Sequence, residues 1–170
     1  SVTRRPRTRV EQPIPVGVVS NNYSLVQHAE VAAKCFEGMS AAGLDVASLR
    51  CELGLTELGE WMNLRVYLPE AYRYERKRQV GDVMDLRLEC FNSVDGGSRL
   101  SVLFGWRRLV CTNGLVIAET VVELRDVHNK NLTLEPIPAV VHDGLRKAKG
   151  DLARLTEWEA TDLPRGGLDD

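Results

Sequence analysis

The chain has 170 residues, 44% of them hydrophobic, and a net charge of −2. That is enough for one core of ordinary size without disulfide staples. No apolar run approaches the roughly eighteen residues of a membrane span, and the N-terminus lacks the apolar stretch of a signal peptide, so the expectation is a soluble, cytoplasmic protein without membrane contact.

Residues 1–12 carry Arg4, Arg5, Arg7 and Arg9 against Glu11 alone, with Pro6 interrupting and no hydrophobic period. They read as a basic flexible arm, followed by one α+β domain over 13–160 and a flexible acidic tail over 161–170. Val16-Gly17-Val18-Val19 reads as a short strand and Asn21-Asn22-Tyr23-Ser24 as a turn into a helix over 24–42, with Ser24 as N-cap and Gln27 completing a capping box. Leu25, His28, Ala29, Ala32, Cys35, Phe36 and Met39 recur at helical steps, and Gly43 closes the helix. Residues 45–68 read as two strands around Gly54 to Gly59, the second with Met62, Leu64, Val66 and Leu68 on one face and ended by Pro69.

The segment 61–80 is the second basic region, with Arg65, Arg73, Arg76, Lys77 and Arg78 against Glu70 and Glu75. The stretch 13–60 and the tail 151–170 are acidic by contrast, each with six acids and two bases. Local positive patches can contact phosphates even on an acidic chain.

From Met84 to Arg125 the chain reads as a three-stranded meander joined by Asp95-Gly96-Gly97 and Asn113-Gly114, whose glycines supply the positive φ of tight hairpin turns. Leu86, Leu88 and Cys90 alternate with Asp85, Arg87 and Glu89, the pattern of a strand with one buried face. Leu100, Val102, Phe104 and Trp106 continue an inward face, and the apolar Leu109 and Cys111 imply a bulge near Gly105. The run Leu115 to Ala118 is apolar on both sides and reads as a central strand. Residues 135–160 read as a second helix, with Pro136 in its first turn, a stripe of Ile137, Val140, Val141, Leu145, Ala148, Leu152 and Leu155, and two interrupting glycines, Gly144 and Gly150. The fold class is α+β: an antiparallel sheet of about five or six strands with both helices on one face.

The meander carries Phe91-Asn92-Ser93-Val94-Asp95-Gly96 and Arg108-Leu109-Val110-Cys111-Thr112-Asn113-Gly114. These resemble the core of a widespread phage- and plasmid-encoded family of unknown function, and with Gly17-Val18-Val19, Tyr23 and His128 the resemblance extends over about 14 to 150. Where that family often has Arg-His, Val127 precedes His128 here and Arg125 stands two residues earlier. The resemblance implies a mobile-element context in which single-strand annealing, replication support and inhibition of host defence are needed, but no assigned chemistry. The order of three strands and a helix from Met84 to Leu155 is similar, at the level of fold only, to the central unit of Rad52-like annealing proteins.

Cys35, Cys51, Cys90 and Cys111 form no paired motif and read as free thiols. Cys111, Asn113 and His128 have the residue types of a thiol nucleophile, orienter and base, but a strand cysteine before a hairpin Asn-Gly explains two of them without chemistry. His28, His128 and His142 lack paired metal spacing, and no phosphate-binding glycine loop is present, so no cofactor is expected. The Tyr72-Arg73-Tyr74-Glu75-Arg76-Lys77-Arg78 run interleaves rings with cations as a single-strand groove does, and Trp106-Arg107-Arg108 is a second such cluster, although Trp106 also continues the core face. The expected function is therefore non-enzymatic binding of nucleic acid, single-stranded DNA first, through Arg4, Arg5, Arg7, Arg9, Tyr72, Arg73, Tyr74, Arg76, Lys77, Arg78, Arg107 and Arg108, with self-association as a further expectation. The alternative is a protein-binding inhibitor or adaptor acting on a host enzyme or defence system.

Overall fold

Period-two alternation builds most of this molecule. The computed structural model describes residues 1–6, 8, 12–75, 83–109 and 116–161, the side chains of Leu109 and 116–119 excepted. Strands β3 (Arg50–Leu55), β4 (Trp61–Tyr67), β6 (Val83–Ser93), β7 (Leu100–Leu109) and β8 (Val116–Asp126) form an antiparallel sheet in the order β3-β4-β6-β7-β8, and the short β5 (Arg73–Glu75) pairs with the start of β6. Leu64 and Val66 on β4, Leu86, Leu88 and Cys90 on β6, and Leu100, Val102, Phe104 and Trp106 on β7 all bury on one face. Each large side chain fully withdrawn from water there contributes about 1.5–3 kcal/mol before entropy is charged against it.

Two helices, α1 (His28–Ala41) and α2 (Pro136–Ala160), cover that face and pack on each other. The α1 start differs from the sequence expectation. Ser24 lies outside the helix with its N–H on the His128 carbonyl, and the first turn is closed at Gln27, whose N–H donates to Glu30 Oε2 at 2.9 Å. The buried stripe is Val31, Cys35, Gly38 and Met39, rotated from the expected one, so that Leu25 is 44% exposed. Gly43 ends α1 at φ +85°, and the N–H groups of Gly43 and Leu44 satisfy the Ser40 and Met39 carbonyls, as expected of a glycine cap.

Neither glycine interrupts α2. Gly144 is where the helix meets the sheet, since a Cβ there would lie 2.7 Å from Phe104 Cδ2. Gly38 plays the same part between the helices, where a Cβ would lie 2.7 Å from Val141 Cβ and 2.8 Å from Pro138 Cα.

The register slip falls at Gly105 as the sequence implied, but the extra residue is on the neighbouring strand. Phe104 faces Val122 and Gly105 faces Thr120, which leaves Val121 on β8 without a counterpart. The ladder from β7 to β6 runs unbroken from Ser101 to Arg108, so the insertion is taken up by the strand with a single partner. For the same reason β8 is not central: it ends the sheet path among the described residues, and α2 packs along it. The Asn113-Gly114 turn, Cys111 and the tail over 162–170 lie outside the described residues.

The basic segment read as an extended arm contains a strand. In this small sheet β1 (Val2–Arg4) pairs antiparallel with β2 (Ile14–Gly17), which itself starts two residues before the expected strand. This hairpin is pressed onto the turn between β6 and β7, because a Cβ on Gly17 would lie 2.6 Å from Asp95 Cα.

Candidate functional site

Three features of the family resemblance, Tyr23, the Asn92 to Gly96 segment and His128, meet at one end of the sheet. Asn92 is 2% exposed on the helix side of β6, and its amide is held from three directions. Nδ2 donates to the Val26 carbonyl at 3.1 Å and lies 2.9 Å from His28 Nδ1, while Oδ1 lies 2.8 Å from His128 Nε2. A carbonyl can only accept, so Val26 fixes which way the amide points. It follows that His28 accepts at Nδ1 and donates from Nε2 to the Gly59 carbonyl at 2.9 Å, and that His128 donates from Nε2. Tyr23 stacks on the His128 ring at 5.1 Å between centroids and donates its hydroxyl to the Ser93 carbonyl at 2.9 Å. Burial lowers the His128 pKa, the neighbouring His28 lowers it further, and Asp126 opposes both. Burial likewise pushes the Tyr23 phenol up.

The adjoining turn is tied just as firmly. Asp95 accepts from Gly97 N–H and from Trp61 Nε1, both at 2.8 Å, and Gly96 sits at φ +83°. Desolvation works to raise the Asp95 pKa, but these hydrogen bonds win and hold it below the usual carboxylate value. The expected Asp-Gly-Gly turn is thus present, closed by an Asx bond and anchored to β4.

Beside this knot lies a cleft of about 490 Å³, whose lining includes His28, Gly59, Arg4 and Arg5.

The sheet face away from the helices is a different surface. Cross-strand register places Arg50, Tyr67 and Arg87 in one row and Glu52, Arg65, Glu89, Leu103 and Glu123 in the next. A further row holds Asn63, Phe91, Ser101 and Arg125, and at the far end Arg73, Asp85 and Arg107 stand side by side. Ion pairs lace it together. Glu89, only 9% exposed, pairs with Arg87 and lies 3.6 Å from Arg65 Nε. Glu52 accepts from Arg50 and from the Tyr67 hydroxyl, and the Arg50 guanidinium stands 4.5 Å over the Tyr67 ring. The Tyr67 hydrogen bond leads the causes that depress the Glu52 pKa.

The residues singled out in the sequence do not gather in one place. Arg4 and Arg5 line the cleft near Val94, just past the end of β6, whereas Arg73 and Arg107 flank Asp85 near its start, about 30 Å away along extended strand. Tyr72 is 4% exposed with Lys149 Nζ 5.7 Å from its ring centroid, so it offers no face to a base and is corrected here from a stacking residue to a core one. Tyr74 is half-buried and pairs in register with Met84, which in turn faces Arg108. Trp106 is core, and Arg7, Arg9, Arg76, Lys77 and Arg78 lie outside the described residues. The Asn92 network and the arginines at 50, 65, 87 and 125 were missed. The signal for the arginines was the alternate positions of the period-two strands that the inward residues leave to the other face, the even ones on β3 and the odd ones on β4, β6 and the end of β8. Among the described residues no cluster of three metal-ligating side chains occurs, and no helix is long and apolar enough to cross a membrane.

No curated protein and no solved structure was found to match the chain. A family profile does match, over residues 15–165, and so takes in the Asn92 network and the whole main sheet. The chain belongs to the family described as the domain of unknown function DUF932.

Proposed function

We propose that this protein binds single-stranded nucleic acid, single-stranded DNA in the first instance, across the helix-free face of its sheet, in the service of a phage or plasmid that encodes it. Support comes from one observation: among the described residues Arg50, Arg65, Arg73, Arg87, Arg107 and Arg125 share that face with five carboxylates, Glu52, Glu75, Asp85, Glu89 and Glu123. The half-buried rings of Tyr67 and Phe91 sit among them. A flat array of guanidinium groups tracks a phosphate backbone, and rings between them stack bases without reading sequence. The carboxylates hold the arginine side chains extended in advance, and phosphate oxygens replace them at the exposed pairs. The test is the salt dependence of oligonucleotide affinity. Changing Arg73, Arg87 and Arg107 together to Ser flattens the slope by about two, at roughly 0.7 per lost contact on a single strand. Absence of binding at low salt in the unmodified protein removes the proposal.

A second reading, a protein-binding adaptor or inhibitor acting on a host enzyme or defence system, is favoured by the edge strand β3. Its Leu53 and Leu55 are 60% and 54% exposed, and an unpaired edge invites a strand from a partner. Recovery of one host protein after nuclease treatment, lost on changing Leu53 and Leu55 to Lys, distinguishes it.

A further inference from the structure

The cleft beneath the N-terminal hairpin has a size, a charge and a rigidity that suit a small ligand. At about 490 Å³ it falls within the range of small-molecule sites and is far larger than an inorganic anion requires. Its walls divide by chemistry. Arg4 and Arg5 line it on the β1 side, and Val16, Leu25, Leu58 and Val94 supply an apolar lining. No acidic side chain lines it among the described residues. Of the four nearest in sequence to its lining, Glu30 is engaged on the Gln27 N–H, Glu60 on the Thr56 hydroxyl and Asp95 on Trp61 and Gly97, while Glu57 is exposed in the turn between β3 and β4. The basic N-terminal segment thus sets two arginines against a stretch of chain, 13–60, that is acidic overall. The close contact of Gly17 with Asp95 fixes the hairpin, and with it both arginines, against the turn that closes β6.

We infer that this cleft binds a nucleotide bearing a terminal phosphate, with the base on the apolar lining and the phosphomonoester on Arg4 and Arg5. Guanidinium groups suit the doubly charged phosphate in a partly enclosed site, and the apolar wall accepts a base without requiring a particular one. The same chemistry is offered by a free nucleoside monophosphate and by the phosphorylated 5′ end of a strand. The site is separate from the open sheet face and stands whether or not that face binds nucleic acid.

The experiment uses the full chain and calorimetric titration with thymidine 5′-monophosphate, thymidine, and a six-nucleotide thymidine strand with and without its 5′-phosphate. The monophosphate is expected to bind at least tenfold more tightly than thymidine; if the strand also gains tenfold from its 5′-phosphate the ligand is a strand end, and if it does not the ligand is the free nucleotide. Arg4→Ser with Arg5→Ser erases the phosphate preference. Leu25→Trp, which fills the cleft from an exposed position, blocks the monophosphate altogether. Arg73→Ser with Arg107→Ser leaves the preference intact while lowering affinity for the 5′-hydroxyl strand, so failure of the sheet face and failure of the cleft are read separately. Equal binding of monophosphate and thymidine, or a preference that survives both cleft variants, overturns the inference.

Discussion

His128 Nε2 lies 2.8 Å from Asn92 Oδ1, joining the segment after β8 to the middle of the knot formed by β6 and α1. Through one amide, three segments far apart in sequence become a single unit: the entry to α1, the end of β6 and the turn before α2. Replacing Asn92 with the similarly sized Leu strands the Val26 carbonyl, His28 Nδ1 and the His128 N–H in a buried site. Each such group costs roughly 1–3 kcal/mol, so the variant should lose about 3 kcal/mol or more of unfolding free energy by urea titration.

The depressed His128 pKa makes a signed prediction about acid. The unfolded ring takes a proton near its ordinary value of 6.5, whereas the folded ring stays neutral to lower pH. Protons therefore favour the unfolded state across that interval: the contribution is fully present above pH 6.5 and is lost as the pH falls towards the folded value. Thermal midpoints measured from pH 7.5 to 5.5 should fall, and His128→Gln, which keeps a donor without a titrating ring, should flatten the decline.

Cys35 and Cys90 bury against each other at the junction of α1 and β6, and this contact, with burial behind it, drives the Cys90 thiol pKa far up. Cys51 on β3 is exposed, its pKa raised by partial burial alone. In a Cys111→Ser background, a thiol reagent at neutral pH should modify one group, Cys51, somewhat more slowly than a fully solvated thiol. Cys35 and Cys90 should react only as the protein unfolds.

Two glycine-to-alanine changes in helices should have opposite signs. Alanine at Gly150 meets nothing within 4 Å and should stabilise by up to about 1 kcal/mol through helix propensity. At Gly38 the same gain is outweighed, because the new Cβ would press on Pro138 backbone and Val141, and overpacking of that kind costs about 1–3 kcal/mol. Chemical denaturation of the two variants reads the difference directly.

What the sequence showed and hid follows from distance along the chain. The inward faces of β6 and β7 were legible because Leu86, Leu88 and Cys90, and Leu100 to Trp106, declare them by alternation, a local property. The true start of α1 was hidden by two overlapping capping patterns, and tertiary contact decided between them when the Ser24 N–H was taken by the His128 carbonyl. Tyr72 looked like a surface ring because its neighbours are charged; it is buried by α2, more than sixty residues later in the chain. The Asn92 amide could not be paired from sequence at all, since its partners His28 and His128 lie 64 and 36 residues away. Its membership in the family pattern with Tyr23 and His128 was the one available sign.

The five-strand path from β3 to β8 has a parity that constrains how copies of this chain can join. Each neighbour reverses direction, so an odd number of strands leaves the two outer rims running the same way. Abutting β8 of one copy on β3 of the next, with the sheets in a common plane and orientation, would demand a parallel seam in an otherwise antiparallel structure. With the helices of every copy kept on one side, an antiparallel seam arises only when like meets like about a two-fold axis, β3 with β3 or β8 with β8, and such a pairing closes after two copies at each rim. A continuous one-sided sheet of many copies built wholly from antiparallel pairs must therefore alternate the two kinds of seam, and blocking the β3 rim alone would halt it at dimers.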